Sequence, residues 1–294
     1  MMQKLARFKI SRFIFFCWPK SGQKAGIVLL PFFLSQIIGC ALPAYNVLEE
    51  AGADYDVVST GYFKHLVSIR HDDHKNGVVV VYIEGDGLPW VSRTRVSYEP
   101  TADNPLLLNW FVGVEMPSMY LGRPCYFDLN DEHCSAYWYT HGRYSNDVVD
   151  SMVRAVENVL PERPLILVGH SGGGTIAMLI AERLDYVKAV VTIAGNLQVQ
   201  EWIAHHKYSA LKGSLDPSEG AVLDDGVSQM HFYSTDDEVI KSEWITSFAA
   251  GQPHAKVTEF PVVGHSVGWN AYRSDIMGYL DELARELDRI ESRN

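Results

Sequence analysis

From about residue 55 onward the chain alternates short apolar runs with segments of helical periodicity, the pattern of an α/β sheet. Asp56–Phe63 and His65–Arg70 read as an early strand pair. Val78–Ile83 (VVVVYI) is too continuously apolar for a strand with one wet face and is expected at the centre of the sheet. A polar stretch, Ser92–Asn104, leads to a helix near Leu106–Val112 and a short strand around Met119–Leu121. Val148, Val149, Met152, Val153, Val156 and Val159 recur at helical spacing within Ser145–Leu160, with Ser145 as the cap and Pro161 as the stop. Leu165–Val168, Thr175–Leu184 and Val187–Ile193 then read strand, helix, strand, which is one βαβ unit. Residues 196–228 are mixed, with a helix around Trp202, His205, His206 and Tyr208, and are too few for a large lid domain. Met230–Tyr233 and Val257–Val263 are expected as the last strands. In the final helix Ile276, Leu280, Leu283, Leu287 and Ile290 form one apolar stripe.

The N-terminus departs from this pattern. A basic stretch ends at Lys24, the uncharged apolar run Ala25–Gly39 follows, and then Cys40, the order of a secretory signal. The run is short for a bilayer span, which takes roughly 20 apolar residues. Ile37-Ile38-Gly39-Cys40 resembles the lipobox of bacterial lipoproteins. That resemblance implies cleavage before Cys40, a lipid on its sulfur, and, with Ala41 next in line, sorting to the outer membrane with the folded part facing the periplasm. A plain cleaved signal, an uncleaved anchor and a cytosolic protein are the alternatives. The expected division is a signal over 1–39, a tether over 40–54 and one folded domain over 55–294. Charge supports this division: of 25 Lys+Arg and 36 Asp+Glu, residues 1–39 hold Lys4, Arg7, Lys9, Arg12, Lys20 and Lys24 and no acid. The remaining body is strongly acidic and repels phosphate backbones and anionic headgroups, which disfavours a nucleic-acid partner.

Export changes the reading of the cysteines. With Cys17 removed and Cys40 lipidated, Cys125 and Cys134 remain in an oxidising compartment, where a disulfide is the economical inference. Two unpaired buried thiols are the alternative. Zinc is disfavoured, since no second cysteine pair or well-spaced histidine pair accompanies them. His71-Asp72-Asp73-His74 has the composition of a metal cluster, but it precedes Lys75-Asn76-Gly77 between two strands and reads as a solvated hairpin turn. His205 and His206 read as helix-face residues, and Trp202 and Tyr208 as core or pocket wall. No metal or organic cofactor is expected.

Gly169-His170-Ser171-Gly172-Gly173 matches G-x-S-x-G, with a strand before it and a helix after it, the context that exposes a serine on a tight turn. Gly264-His265-Ser266-Val267-Gly268 matches as well. Chain order separates the two, because the acid and then the histidine must follow the serine. No histidine follows Ser266, whereas Ser171 is followed by Asp236-Asp237 and by His265. Together these residues resemble the α/β-hydrolase fold family, which implies a mostly parallel sheet with helices on both faces and Ser, Asp and His on loops at the carboxyl ends of strands. The resemblance implies Ser171 as nucleophile, Asp237 as acid with Asp236 as the alternative, and His265 as base. It also implies backbone N–H donors at Gly172 and Asp86 for the oxyanion. Glu84 stands where the family often has histidine and is expected to bring a negative charge near the site. The expectation is a serine hydrolase that cleaves small carboxylic esters. Acyl transfer or peptide cleavage by the same groups, and a non-catalytic envelope lipoprotein on this scaffold, are the alternatives.

Overall fold

The computed structural model describes residues 42–72, 77–129, 131–220 and 222–293. Its strands are β1 (Asp56–Ser59), β2 (Lys64–Arg70), β3 (Val79–Ile83), β4 (Trp90–Ser92), β5 (Arg95–Val96), β6 (Ser118–Leu121), β7 (Leu165–His170), β8 (Val187–Ile193), β9 (Ser228–Tyr233) and β10 (Ala255–Glu259). Its helices are α1 (Pro43–Glu50), α2 (Leu106–Phe111), α3 (Ala136–Tyr139), α4 (Asn146–Val159), α5 (Gly172–Ala181), α6 (Val199–His206), α7 (Ser242–Ala250) and α8 (Arg273–Glu291). Eight strands form one sheet in the order β1-β2-β6-β3-β7-β8-β9-β10, and β4 and β5 form a separate hairpin. From β6 to β10 every pairing is parallel, while β1–β2 and β2–β6 are antiparallel.

The period of two along β3 explains why both faces of the sheet are covered. Val79, Val81 and Ile83 point into a core shared with Val148, Val149 and Met152 of α4 and with Ile176 and Ile180 of α5. Val80 and Tyr82 point into the opposite core, with Leu107, Trp110 and Phe111 of α2 and Ile276 and Leu280 of α8. Residues on both sides of β3 are therefore buried, as its unbroken apolar run requires. Helix α4 starts where expected, with the Ser145 hydroxyl accepting from the Val148 N–H.

Register brings the site together. Ile83 lies opposite Gly169, His170 opposite Ile193, Ile193 opposite Phe232, and Tyr233 opposite Glu259. The carboxyl ends of β3, β7, β8, β9 and β10 thus share one edge, where an open parallel sheet presents its loops to ligands.

Four expectations are corrected. The tether expected over 40–54 is helical from Pro43, where proline suits the first helical position, and it buries Ala44 and Leu48 on the domain. The folded unit therefore reaches upstream of residue 55. The last strand stops at Glu259 rather than Val263, since Pro261 has no N–H to continue the ladder. Helix α5 begins at Gly172, three residues ahead of Thr175. The polar stretch near Ser92 contains the β4–β5 hairpin. Of the His71–His74 group, His71 is exposed, Asp72 pairs with Arg163 at 3.1 Å, and Asp73 and His74 lie outside the described residues, as do Cys17, Cys40 and the signal over 1–39.

Cys125 and Cys134 are joined as a disulfide, with Cα atoms 5.3 Å apart. Closing so short a loop contributes about 2–3 kcal/mol in the chain-entropy model. The Cys125→Ser/Cys134→Ser double variant is expected to unfold at lower urea with an unchanged slope, and an unchanged midpoint would refute a stabilising role for the bridge.

Candidate active site

The chain leaves β7 at His170 and enters α5 at Gly172, so Ser171 must turn the backbone within one residue. It does so at φ +52°, a left-handed conformation that L-residues rarely adopt. So tight a turn needs close approaches. A Cβ at Gly173 would run into the Ile83 carbonyl oxygen at the end of β3, and one at Gly169 into the Gly173 carbonyl oxygen.

His265, on the loop after β10, places Nε2 2.8 Å from Ser171 Oγ and Nδ1 2.9 Å from Asp237 Oδ2. Asp237, on the loop after β9, is 3% exposed, and its Oδ1 accepts the N–H groups of Val239 and Ile240 at 2.8 and 2.9 Å. These bonds fix the carboxylate, and the carboxylate fixes the imidazole with hydrogen on Nδ1 and a lone pair on Nε2 facing the serine. The backbone of His265 is held as well, its carbonyl accepting from Trp269 Nε1 at 3.1 Å and lying 3.0 Å from His170 Nε2. Asp236, the alternative acid, instead accepts the Val262 N–H at 2.8 Å. Ser266 is exposed on the loop that presents His265, away from any strand-to-helix turn.

The Gly172 N–H is in the first turn of α5, where no intrahelical acceptor is available. The second expected donor is on the loop after β3, and this loop abuts the serine: a Cβ at Gly85 would sit 3.3 Å from Ser171 Cβ. Glu84 does not leave a loose charge near the serine. Its Oε2 accepts the Leu107 and Leu108 N–H groups at 2.8 and 3.2 Å, capping α2, and its Oε1 accepts from Gly85 N at 3.3 Å.

The Asp86 side chain is the feature that the sequence did not reveal. Its carboxylate accepts from Arg123 Nη1 at 2.5 Å, Arg143 Nη1 at 2.8 Å and the Tyr144 hydroxyl at 2.6 Å, and its carbonyl accepts from the Tyr126 hydroxyl at 2.9 Å. Burial alone would raise this carboxyl, but Arg143, Arg123 and the Tyr144 hydrogen bond outweigh it and hold the group well below the usual carboxylate range. The cluster lies directly behind Gly172, where a Cβ would collide with Asp86 Oδ1 and the Tyr144 hydroxyl. The two buried guanidinium groups of the cluster face the Asp86 carboxylate within it, with the Glu84 carboxylate on the same loop.

A cleft of about 710 Å³ opens over Ser171 and His265. Leu88 and Trp90 from the β4 side and Trp202 and Tyr208 from the α6 side line it, so the last two are wall residues. His206 stacks on Tyr208 and bonds the Val239 carbonyl at 2.8 Å, and His205 packs edge-on to Trp244.

The sequence pattern of the family described as "alpha/beta hydrolase fold" matches residues 125–212. Compared with curated proteins, the chain matches none. Several solved structures are similar in shape. A putative lipase from Acinetobacter baumannii is 15% identical, covering 82% of this chain and 94% of its own, with a TM-score of 0.55. Esterase 2 of Thermogutta terrifontis, solved phosphoramylated by tabun, is 17% identical over 80% and 95% of the two chains, with a TM-score of 0.53. The Pyrococcus furiosus esterase Pf2001 is 10% identical over 80% and 95%, with a TM-score of 0.53. A mostly parallel eight-stranded sheet covered on both faces, with a serine on the turn after a central strand, is the α/β-hydrolase fold, and this chain has it.

Proposed function

We propose that the protein is a serine hydrolase that cleaves carboxylic esters through an acyl-enzyme on Ser171. The observation that carries this reading is the unbroken hydrogen-bond chain Ser171–His265–Asp237 opening into the cleft. Ser171 Oγ attacks the ester carbonyl carbon while its proton passes to His265 Nε2, and the carbonyl π electrons move onto the oxygen. The N–H groups of Gly172 and Asp86 receive that oxyanion, with the buried Asp86–arginine cluster behind them. The tetrahedral species collapses, the ester C–O bond breaks, and the departing alkoxide takes the proton from His265. Water then repeats the sequence on the acyl-enzyme and releases the acid and free Ser171. Esterases and lipases among the solved structures of this shape support the ester reading. A fluorophosphonate probe should label the purified protein, and 4-nitrophenyl esters of graded chain length should be turned over. Absence of both labelling and turnover would refute the reading and favour a non-catalytic scaffold.

We further propose that the protein is a lipoprotein held at the bacterial envelope, facing the periplasm, through Cys40. The support is the basic and apolar leader, the Gly39-Cys40 junction, and a disulfide suited to an oxidising compartment. A diacylated cysteine with a further amide-linked chain meets the need for more than one acyl anchor. A clickable palmitate analogue should mark the wild type and not Cys40→Ser, which should stay unprocessed. A wild-type protein without label would refute the anchor and leave the chemistry at Ser171 untouched.

A further inference from the structure

The charged side chains lining the cleft are unlike those of the body around it. From residue 40 onward the chain has 19 Lys+Arg against 36 Asp+Glu, yet the cleft is lined by three cations, Arg93, Arg143 and Lys207, and three acids, Glu84, Asp86 and Asp103. Two of those acids are already engaged, Glu84 by backbone N–H groups of α2 and Gly85, and Asp86 by two guanidinium groups and a hydroxyl.

Arg143 is the informative residue. It is 4% exposed and is one of the residues that line the cleft. Its Nε donates to the Thr140 carbonyl at 2.6 Å and its Nη1 to Asp86 at 2.8 Å, while Nη2 has no acceptor among the described residues. A guanidinium on a cleft wall with one donor left over among the described residues is suited to an oxygen that arrives with the ligand. Arg93, at the turn of the β4–β5 hairpin, and Lys207, just past α6, stand exposed on the same cleft, and neither has a carboxylate within ion-pair distance among the described residues. With Arg143 paired to Asp86, the charges left over on the cleft are Arg93 and Lys207 against Asp103, an excess of one cation that a neutral aliphatic ester leaves unanswered.

We propose that the cleft selects esters that carry a negatively charged group, with the anion received by the cations that line it, Arg143, Arg93 and Lys207. The proposal rests on the esterase reading for its chemistry and adds the substrate class. A monoester of a dicarboxylic acid is the simplest such substrate. The scissile carbonyl is attacked as described above.

The test compares 4-nitrophenyl hexanoate with the 4-nitrophenyl monoester of adipic acid, which has the same six-carbon chain and a terminal carboxylate. The wild type should favour the charged ester in kcat/KM by about 10-fold or more at low salt, the range expected for a charge-assisted hydrogen bond. The preference should shrink as salt rises. Arg93→Gln, and Arg143→Lys, which keeps a cation for Asp86 but loses the planar fork, should each bring the ratio towards one. A wild-type ratio near one would overturn the proposal. If neither ester is cleaved, the esterase reading fails, and calorimetry with adipate and the Ser171→Ala protein decides the anion site separately. Saturable binding that weakens in the Ser171→Ala/Arg93→Gln protein supports the site, and no binding overturns it.

Discussion

Ser171→Ala is expected to abolish fluorophosphonate labelling and to lower ester turnover by about 10⁴–10⁶-fold, the loss typical when a nucleophile that acts as a unit with its base is removed. The size of the effect follows from geometry. The oxygen lost is held 2.8 Å from His265 Nε2, at a backbone turn on the wall of the cleft. Ser266→Ala, in the second G-x-S-x-G match one residue from His265, is the stringent control. Its hydroxyl is exposed and has no histidine partner among the described residues, so labelling should persist and turnover should change by less than about tenfold. Labelling that survives in Ser171→Ala and disappears in Ser266→Ala would overturn the assignment. Asp237→Ala should give an intermediate loss, because the imidazole then lacks the partner that fixes its tautomer.

The parts of this site that were legible in the sequence are those set by local rules. VVVVYI could be placed at the sheet centre because only a strand buried on both faces tolerates such a run, and β3 is buried throughout. Ser171, Asp237 and His265 could be ordered because each lies just past a strand end, and parallel register then gathers those ends. The start of α5 was hidden by Gly172, Gly173 and Gly174, poor helix formers that occupy this helix because larger side chains would strike β3 or the neighbouring loop. Helix α1 was missed because Ala44 and Leu48 are too few to show a period, and β4 and β5 because strands of three and two residues carry no alternation. The Asp86 cluster was illegible for another reason. Its partners lie 37, 57 and 58 residues away, and no spacing rule connects a carboxylate to side chains that only the folded sheet brings near.

That cluster gives the second large expected effect. Asp86→Asn should lower stability at pH 7 by about 3 kcal/mol, the low end of the range for breaking a buried ion pair, since the Asp86 side chain retains 16% exposure and Arg143 opens to the cleft. The loss comes from Arg123 and Arg143, which stay buried and charged with no carboxylate between them. The sign of the pH dependence follows from the lowered carboxyl. A group whose folded pKa lies below its unfolded value of about 3.9 contributes stability that is complete above that value and is lost as pH falls towards the folded pKa. The difference in Tm between wild type and Asp86→Asn should therefore be full at neutral pH and narrow below about pH 4, where the wild-type carboxyl begins to take up a proton in the unfolded chain while the folded one stays charged. A difference that widened in acid would refute the ion-pair account. Activity supplies an independent reading at temperatures where both proteins are folded. Slackening the loop proposed to carry an oxyanion donor should lower kcat by about 10²-fold, the penalty for misplacing a reacting group by about an ångström. KM for a neutral ester should move far less, because the aromatic and aliphatic walls of the cleft are untouched. An equal loss in kcat and gain in KM would mean that the cluster shapes the cleft and does not aim the donor.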